Sequence, residues 1–110
     1  MPIDAVCLSS TIGLSAKAGA VVCGTPLVCE ALRKKNPPVL VLMARDAAKN
    51  AEKKLTDKCS FYRVELQKIP LDTAQLAAAV GKRGLVAAVG IINEGLARAV
   101  KSKLTEELSS

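Results

Sequence analysis

Two stretches of this 110-residue chain, residues 39–44 and residues 85–92, carry no charged or amide side chain. A strand with one wet face alternates apolar and polar residues. A strand that is apolar throughout belongs in the interior of a sheet covered on both sides. The fold must therefore supply helices for both faces of a sheet.

The rest of the chain reads as those helices and two further strands. Residues 3–18 read as a helix with Ile3, Val6, Cys7, Leu14 and Ala18 near one face, ended by Gly19. Val21, Val22 and Cys23 make a short strand. Gly24 then opens a helix with Thr25 as N-cap and Pro26 at the first helical position, running to about Lys35. Asn36, Pro37 and Pro38 break the chain before the first apolar run. Asp46 is the expected cap of a helix over residues 47–59, with Ala48, Ala51, Leu55, Cys59 and Tyr62 as its core stripe and Lys49, Lys53, Lys54 and Asp57 opposite. Val64 and Leu66 alternate with Arg63 and Glu65 as a half-exposed strand. A helix from Asp72 or Thr73 to Val80 stops at Gly81. After a loop at residues 82–84 comes the second apolar run, then a last helix capped by Asn93 with Leu96, Val100, Leu104 and Leu108 inward. The order αβαβαβαβα implies a single domain over residues 1–110, with helices on both faces of a largely parallel or mixed sheet.

Composition limits the function. Half of the residues are hydrophobic and only Phe61 and Tyr62 are aromatic, so the core is built from Val, Leu, Ile and Ala. The net charge of +6 is spread along the folded chain and is not held in a tail, as a polyanion-binding surface requires. There is no His, which removes the usual general base and the commonest metal ligand. Cys7, Cys23, Cys29 and Cys59 lack CxxC spacing and sit in apolar patterns, so they are expected to be reduced and buried. Cys23 precedes a helix N-terminus, where a thiolate is favoured, but burial is the expected role. No secretory leader or membrane span is visible. The chain is expected to be a cytoplasmic monomer without enzymatic activity, metal or cofactor.

Two glycine turns remain. Gly81, Lys82, Arg83 and Gly84 lack the spacing of a nucleotide-binding loop and precede a strand, leaving an exposed basic connection. Gly24 and Thr25 stand at a helix entrance, where backbone N–H groups and the helix dipole favour an anion. With Lys17, Lys34, Lys82 and Arg83 they are the candidate contacts for an RNA backbone, provided that the loops converge.

Several segments in order resemble a known family: residues 14–19, Gly24, residues 28–33, 41–47, 53–59, 80–82, 86–91 and 93–99. They are similar to the bacterial YlxQ-like branch of the ribosomal protein superfamily that binds kink-turn RNA. The resemblance implies a three-layer α/β/α sandwich with a four-stranded mixed sheet. It also implies binding to ribosomal or regulatory RNA bent at a bulge beside tandem sheared G·A pairs. On that resemblance the helix entrance at Gly24 and Thr25 enters the widened groove, and the loop at Lys82, Arg83, Gly84 and Leu85 lies beside an extruded base, covered by Leu85 or Val86. Pro26 and Leu27 stand where relatives often carry Asn and Glu, Glu30 where Lys is frequent, and Ala20 where Lys is common, whereas Lys34 keeps a basic position. These departures imply retained phosphate contacts with reduced or changed selectivity. The same apolar pair beside an acid also suits the alternative, a protein-interaction module on this fold.

Overall fold

The structure is a computed structural model that describes the backbone of residues 5–35 and 37–109 and the side chains of residues 8–35 and 37–103. Its elements run α1 (Ala5–Lys17), β1 (Val21–Cys23), α2 (Thr25–Leu32), β2 (Leu40–Met43), α3 (Lys49–Tyr62), β3 (Glu65–Lys68), α4 (Thr73–Ala79), β4 (Ala88–Ile91) and α5 (Glu94–Ser109). The strand order is β1-β4-β2-β3. The two strands from the all-apolar runs, β2 and β4, are the two interior ones, and every residue of both is buried. β3 lies parallel to β2 through the α3 crossover, and β4 runs antiparallel to both of its neighbours, so the sheet is mixed.

Side chains alternate between the faces of a strand, and the two cores divide accordingly. Leu40, Leu42, Val89 and Ile91 pack with Leu8 and Ile12 of α1, Leu76 and Ala77 of α4, and Ala97 and Val100 of α5. Val41, Met43 and Ala88 pack with Val28, Cys29 and Leu32 of α2 and Leu55 and Cys59 of α3. Helices therefore cover both faces, α1, α4 and α5 on one and α2 and α3 on the other: a three-layer α/β/α sandwich. Gly90 is required by this packing. A Cβ there would stand 2.8 Å from Cγ of Pro38, so the proline ring lies directly on the β4 backbone.

Several local expectations change. Leu14 of α1 is 62% exposed and Ala18, just past the helix, is exposed, while Leu8, Ile12 and Ser15 face the core; Ile3, Val6 and Cys7 lie outside the described side chains. Ser15 is tolerated in the core because its hydroxyl donates to the Thr11 carbonyl, 3.1 Å away. The N-cap of α2 is Gly24, with Thr25 already helical and giving no side-chain cap, and the helix ends at Leu32. The second apolar run is a strand only from Ala88 to Ile91. Asn93 does cap α5, accepting from the Leu96 N–H at 3.0 Å. Of the α5 stripe, Val100 is buried and Leu96 partly so; Leu104 and Leu108 lie outside the described side chains.

Asp46 does not cap α3, whose N-cap is Ala48. Its carboxylate reaches across to α4, accepting from the Thr73 N–H at 2.7 Å and from Thr73 Oγ1 at 3.3 Å. Asp72, the N-cap of α4, accepts from the Gln75 N–H at 2.7 Å while Gln75 Oε1 accepts from the Asp72 N–H at 2.9 Å. Two carboxylates thus hold the start of α4. Asp46→Ala is expected to lower stability by about 1 kcal/mol in a denaturant titration, the usual cost of losing a helix cap; an unchanged midpoint would show that the bond carries no net stability.

Candidate nucleic-acid interface

One end of the sheet gathers the features that bear on anion binding. β1 finishes at Cys23, and the Gly24 N–H donates to the Ala88 carbonyl at 2.8 Å, which pins the Gly24 turn beside the start of β4. Gly24 has φ 95° and ψ 142°, backbone that side-chain-bearing residues rarely adopt. The turn lets α2 start immediately at Thr25. Pro26 has no N–H, and no side chain caps the helix, so the Thr25 and Leu27 N–H groups have no intrahelical acceptor and lie at the positive end of α2.

The loop that leads into β4 arrives at the same place. α4 closes with the Lys82 N–H on the Ala77 carbonyl (2.9 Å) and the Gly81 N–H on the Ala78 carbonyl (3.1 Å), a Schellman motif with Gly81 in the left-handed region. Four residues later the Val86 N–H donates to the Thr73 carbonyl at 3.1 Å, and the Ala87 carbonyl accepts from the Ala44 N–H at 2.8 Å. Both ends of the loop are tied, and the span between them is presented outward: Lys82, Arg83 and Gly84 are exposed and Leu85 is 71% exposed. Val86 is buried and belongs to the core, which leaves Leu85 as the apolar side chain available to cover a ligand.

The turn and the loop are electrostatic neighbours. Burial pushes the Cys23 thiol above its ordinary pKa, and the Lys82 ammonium partly opposes that shift. Cys23 is half-buried, and not fully buried as its apolar setting suggested. Cys59 is buried in the α2–α3 core, with its thiol pushed up to about 11 by burial and by the nearby Cys29. These described cysteines are free thiols; Cys7 lies outside the described side chains.

Not every sequence-predicted contact joins this end. Lys17 closes α1 and precedes β1, whose far end bears Gly24, so Lys17 lies at the opposite end of the sheet. Lys34 follows the eight-residue α2, about 12 Å of helix from the turn. Pro26 and Leu27 are exposed on the first turn of α2, Leu27 at 55%. Glu30 faces outward further along, and lines a groove between α2 and α3 with Pro26, Cys29, Arg33, Lys34, Lys54 and Lys58. Sequence reasoning missed this groove, and it missed Arg45, which follows β2 at the turn end and lies 3.6 Å from the Asp72 carboxylate. The signal for Arg45 was its position as the first charge after a buried strand.

Residues 7–101 match the family described as ribosomal protein L7Ae/L30e/S12e/Gadd45. The chain is 37% identical over 93 residues to the RNA-binding protein YlxQ of Bacillus subtilis (strain 168), covering 84% of this chain and 90% of that one. It is 32% identical over 90 residues to the protein of the same name from Enterococcus faecium, covering 82% and 84%. Among solved structures, a Bacillus halodurans protein of unknown function is similar with a TM-score of 0.80 at 26% identity, covering 89% of this chain and 96% of that one. The Giardia lamblia 15.5kD RNA binding protein shares the fold with a TM-score of 0.72 at 18% identity, covering 96% and 88%. A family match over most of the chain, two relatives above 30% identity and the same mixed sheet agree: the chain belongs to the ribosomal protein L7Ae/L30e/S12e/Gadd45 family, as a YlxQ-like member.

Proposed function

We propose that the chain binds structured RNA and performs no catalysis. The observation that carries this reading is the meeting of unpartnered N–H groups at the start of α2 with the pinned, cationic Lys82–Leu85 loop. Oriented N–H donors and mobile cations suit phosphate oxygens. Leu85, held outward beside them, suits an unstacked base. Relatives at 37% and 32% identity bear the name RNA-binding protein, which supports the same reading.

The form of RNA that fits is a kink-turn, because a bend can bring backbone to the turn and an extruded base to Leu85 together. Pro26 and Leu27 offer no side-chain hydrogen bonds to G·A pairs, so shape and phosphate position carry the preference. Titrating a kink-turn RNA and a straight duplex of equal length, each at two salt concentrations, tests this. The expected result is tighter binding to the kink-turn and a salt-dependent affinity for both. Equal affinities would remove the kink-turn preference, and no binding to either would remove RNA binding.

Leu27, 55% exposed on the first turn of α2, favours a second reading, a protein-facing module on the same surface. That reading requires a partner captured equally well after RNase treatment.

A further inference from the structure

α2 and α3 pack together over the sheet through Val28, Cys29, Leu32, Leu55 and Cys59. Outside this contact they leave an open groove of about 620 Å³. Arg33, Lys34, Lys54 and Lys58 line it, against one carboxylate, Glu30. Among the described residues none of these four cations has a carboxylate within salt-bridge distance. Elsewhere on the surface, Arg45, Lys68, Arg98 and Lys101 each lie 2.7–3.7 Å from one, whereas Lys49, Lys53, Lys82 and Arg83 resemble the groove cations in having none among the described residues; what sets the groove apart is four cations gathered on one concave surface.

We propose that this groove is a second phosphodiester-binding surface, which takes the RNA strand that leaves the Gly24 turn. Lys54 and Lys58 are one helical turn apart and share a face of α3. Arg33 and Lys34 follow the last turn of α2, where the helix dipole favours cations. Like charges facing one another across a groove repel, and a polyanion relieves that repulsion. The groove starts at Pro26, next to the turn, and follows α2 for about 12 Å, the axial span of roughly three to four phosphates of one duplex strand. It has no aromatic lining, so it is suited to backbone and not to a stacked base. Its continuity with the turn favours a strand of the same RNA over a separate acidic ligand.

The proposal rests on the RNA-binding reading above, and its test separates the two. Wild-type protein and the Lys54→Gln/Lys58→Gln variant are titrated with two kink-turn RNAs that differ only in the length of the stem next to the turn. Wild type is expected to bind the longer RNA about tenfold more tightly. The variant is expected to bind both with the affinity wild type shows for the shorter, and to lose about two units of salt slope on the longer RNA alone. Lys49→Gln/Lys53→Gln removes the same charge from α3 outside the groove and is expected to keep the length preference. Thermal melts of both variants check folding. A length preference that survives Lys54→Gln/Lys58→Gln, or one lost equally in the control, would overturn the groove. An acidic peptide that binds wild type and loses binding in the Lys54→Gln/Lys58→Gln variant, with RNA length preference intact, would reassign it to a protein. Wild type binding neither RNA would overturn the RNA reading and the groove with it.

Discussion

Replacing Lys82 and Arg83 together by alanine is expected to weaken RNA binding about thirtyfold and to lower the salt slope by about two units. The loop is fixed by the Schellman closure before it and by Val86 after it, so the two cations are delivered to one place without depending on each other. Each exposed charge-assisted contact to phosphate contributes about 1 kcal/mol net, and 1.4 kcal/mol is a factor of ten. The loss should be similar across RNA sequences, because phosphate contacts carry no base information. Stability should change by less than about 0.5 kcal/mol, since both side chains are exposed. Unchanged affinity would remove the loop from the interface.

Leu42→Ala is expected to have the opposite profile. Leu42 is fully buried in an interior strand, within the core shared by α1, α4 and α5. Truncating such a leucine costs about 2–5 kcal/mol, because the cavity collapses only partly. At about 3 kcal/mol the Tm should fall by roughly 12–24 °C for a domain of this size. A thermal melt reads this directly; a fall of under about 3 °C would contradict the interior position of β2. Leu85→Ala is the matched comparison: the same truncation at a 71% exposed position should leave the melt nearly unchanged.

The contrast between Leu42 and Leu85 also shows how far the sequence could be read. Both sit in all-apolar runs, and the run at 39–44 is an interior strand as its pattern required. The run at 85–92 looked the same, yet its first three residues leave the sheet. Lack of polarity marks burial and does not distinguish a strand from a packed loop, and the tie from Val86 to Thr73 is a long-range contact. Asp46 shows the same limit: it precedes α3 and looked like its cap, but it holds a helix 27 residues later.

The Gly24 turn and the basic loop were each legible as glycine turns, but their meeting was not, because they lie far apart in sequence. Gly24 and the 82–85 loop converge because β1 pairs with β4. Lys17 and Lys34, closer to Gly24 along the chain, are carried away by the lengths of β1 and α2. The groove cations were invisible because Arg33 and Lys58 are joined only by the packing of two helices. In α1, a polar Ser15 in the core and an exposed Leu14 reversed the apparent stripe, and only the bond to Thr11 shows why the reversal is tolerated.

All of this depends on a folded RNA being seated where β1 hands over to α2. The direct measurement is an amide NMR titration of the full chain with a kink-turn RNA. The largest shifts are expected at Gly24, Thr25, Leu27 and residues 82–85, with the opposite end of the sheet at Lys17, Val39 and Ile92 unmoved. Shifts centred on Lys17, Val39 and Ile92, with the amides from Gly24 to Leu27 silent, would contradict it.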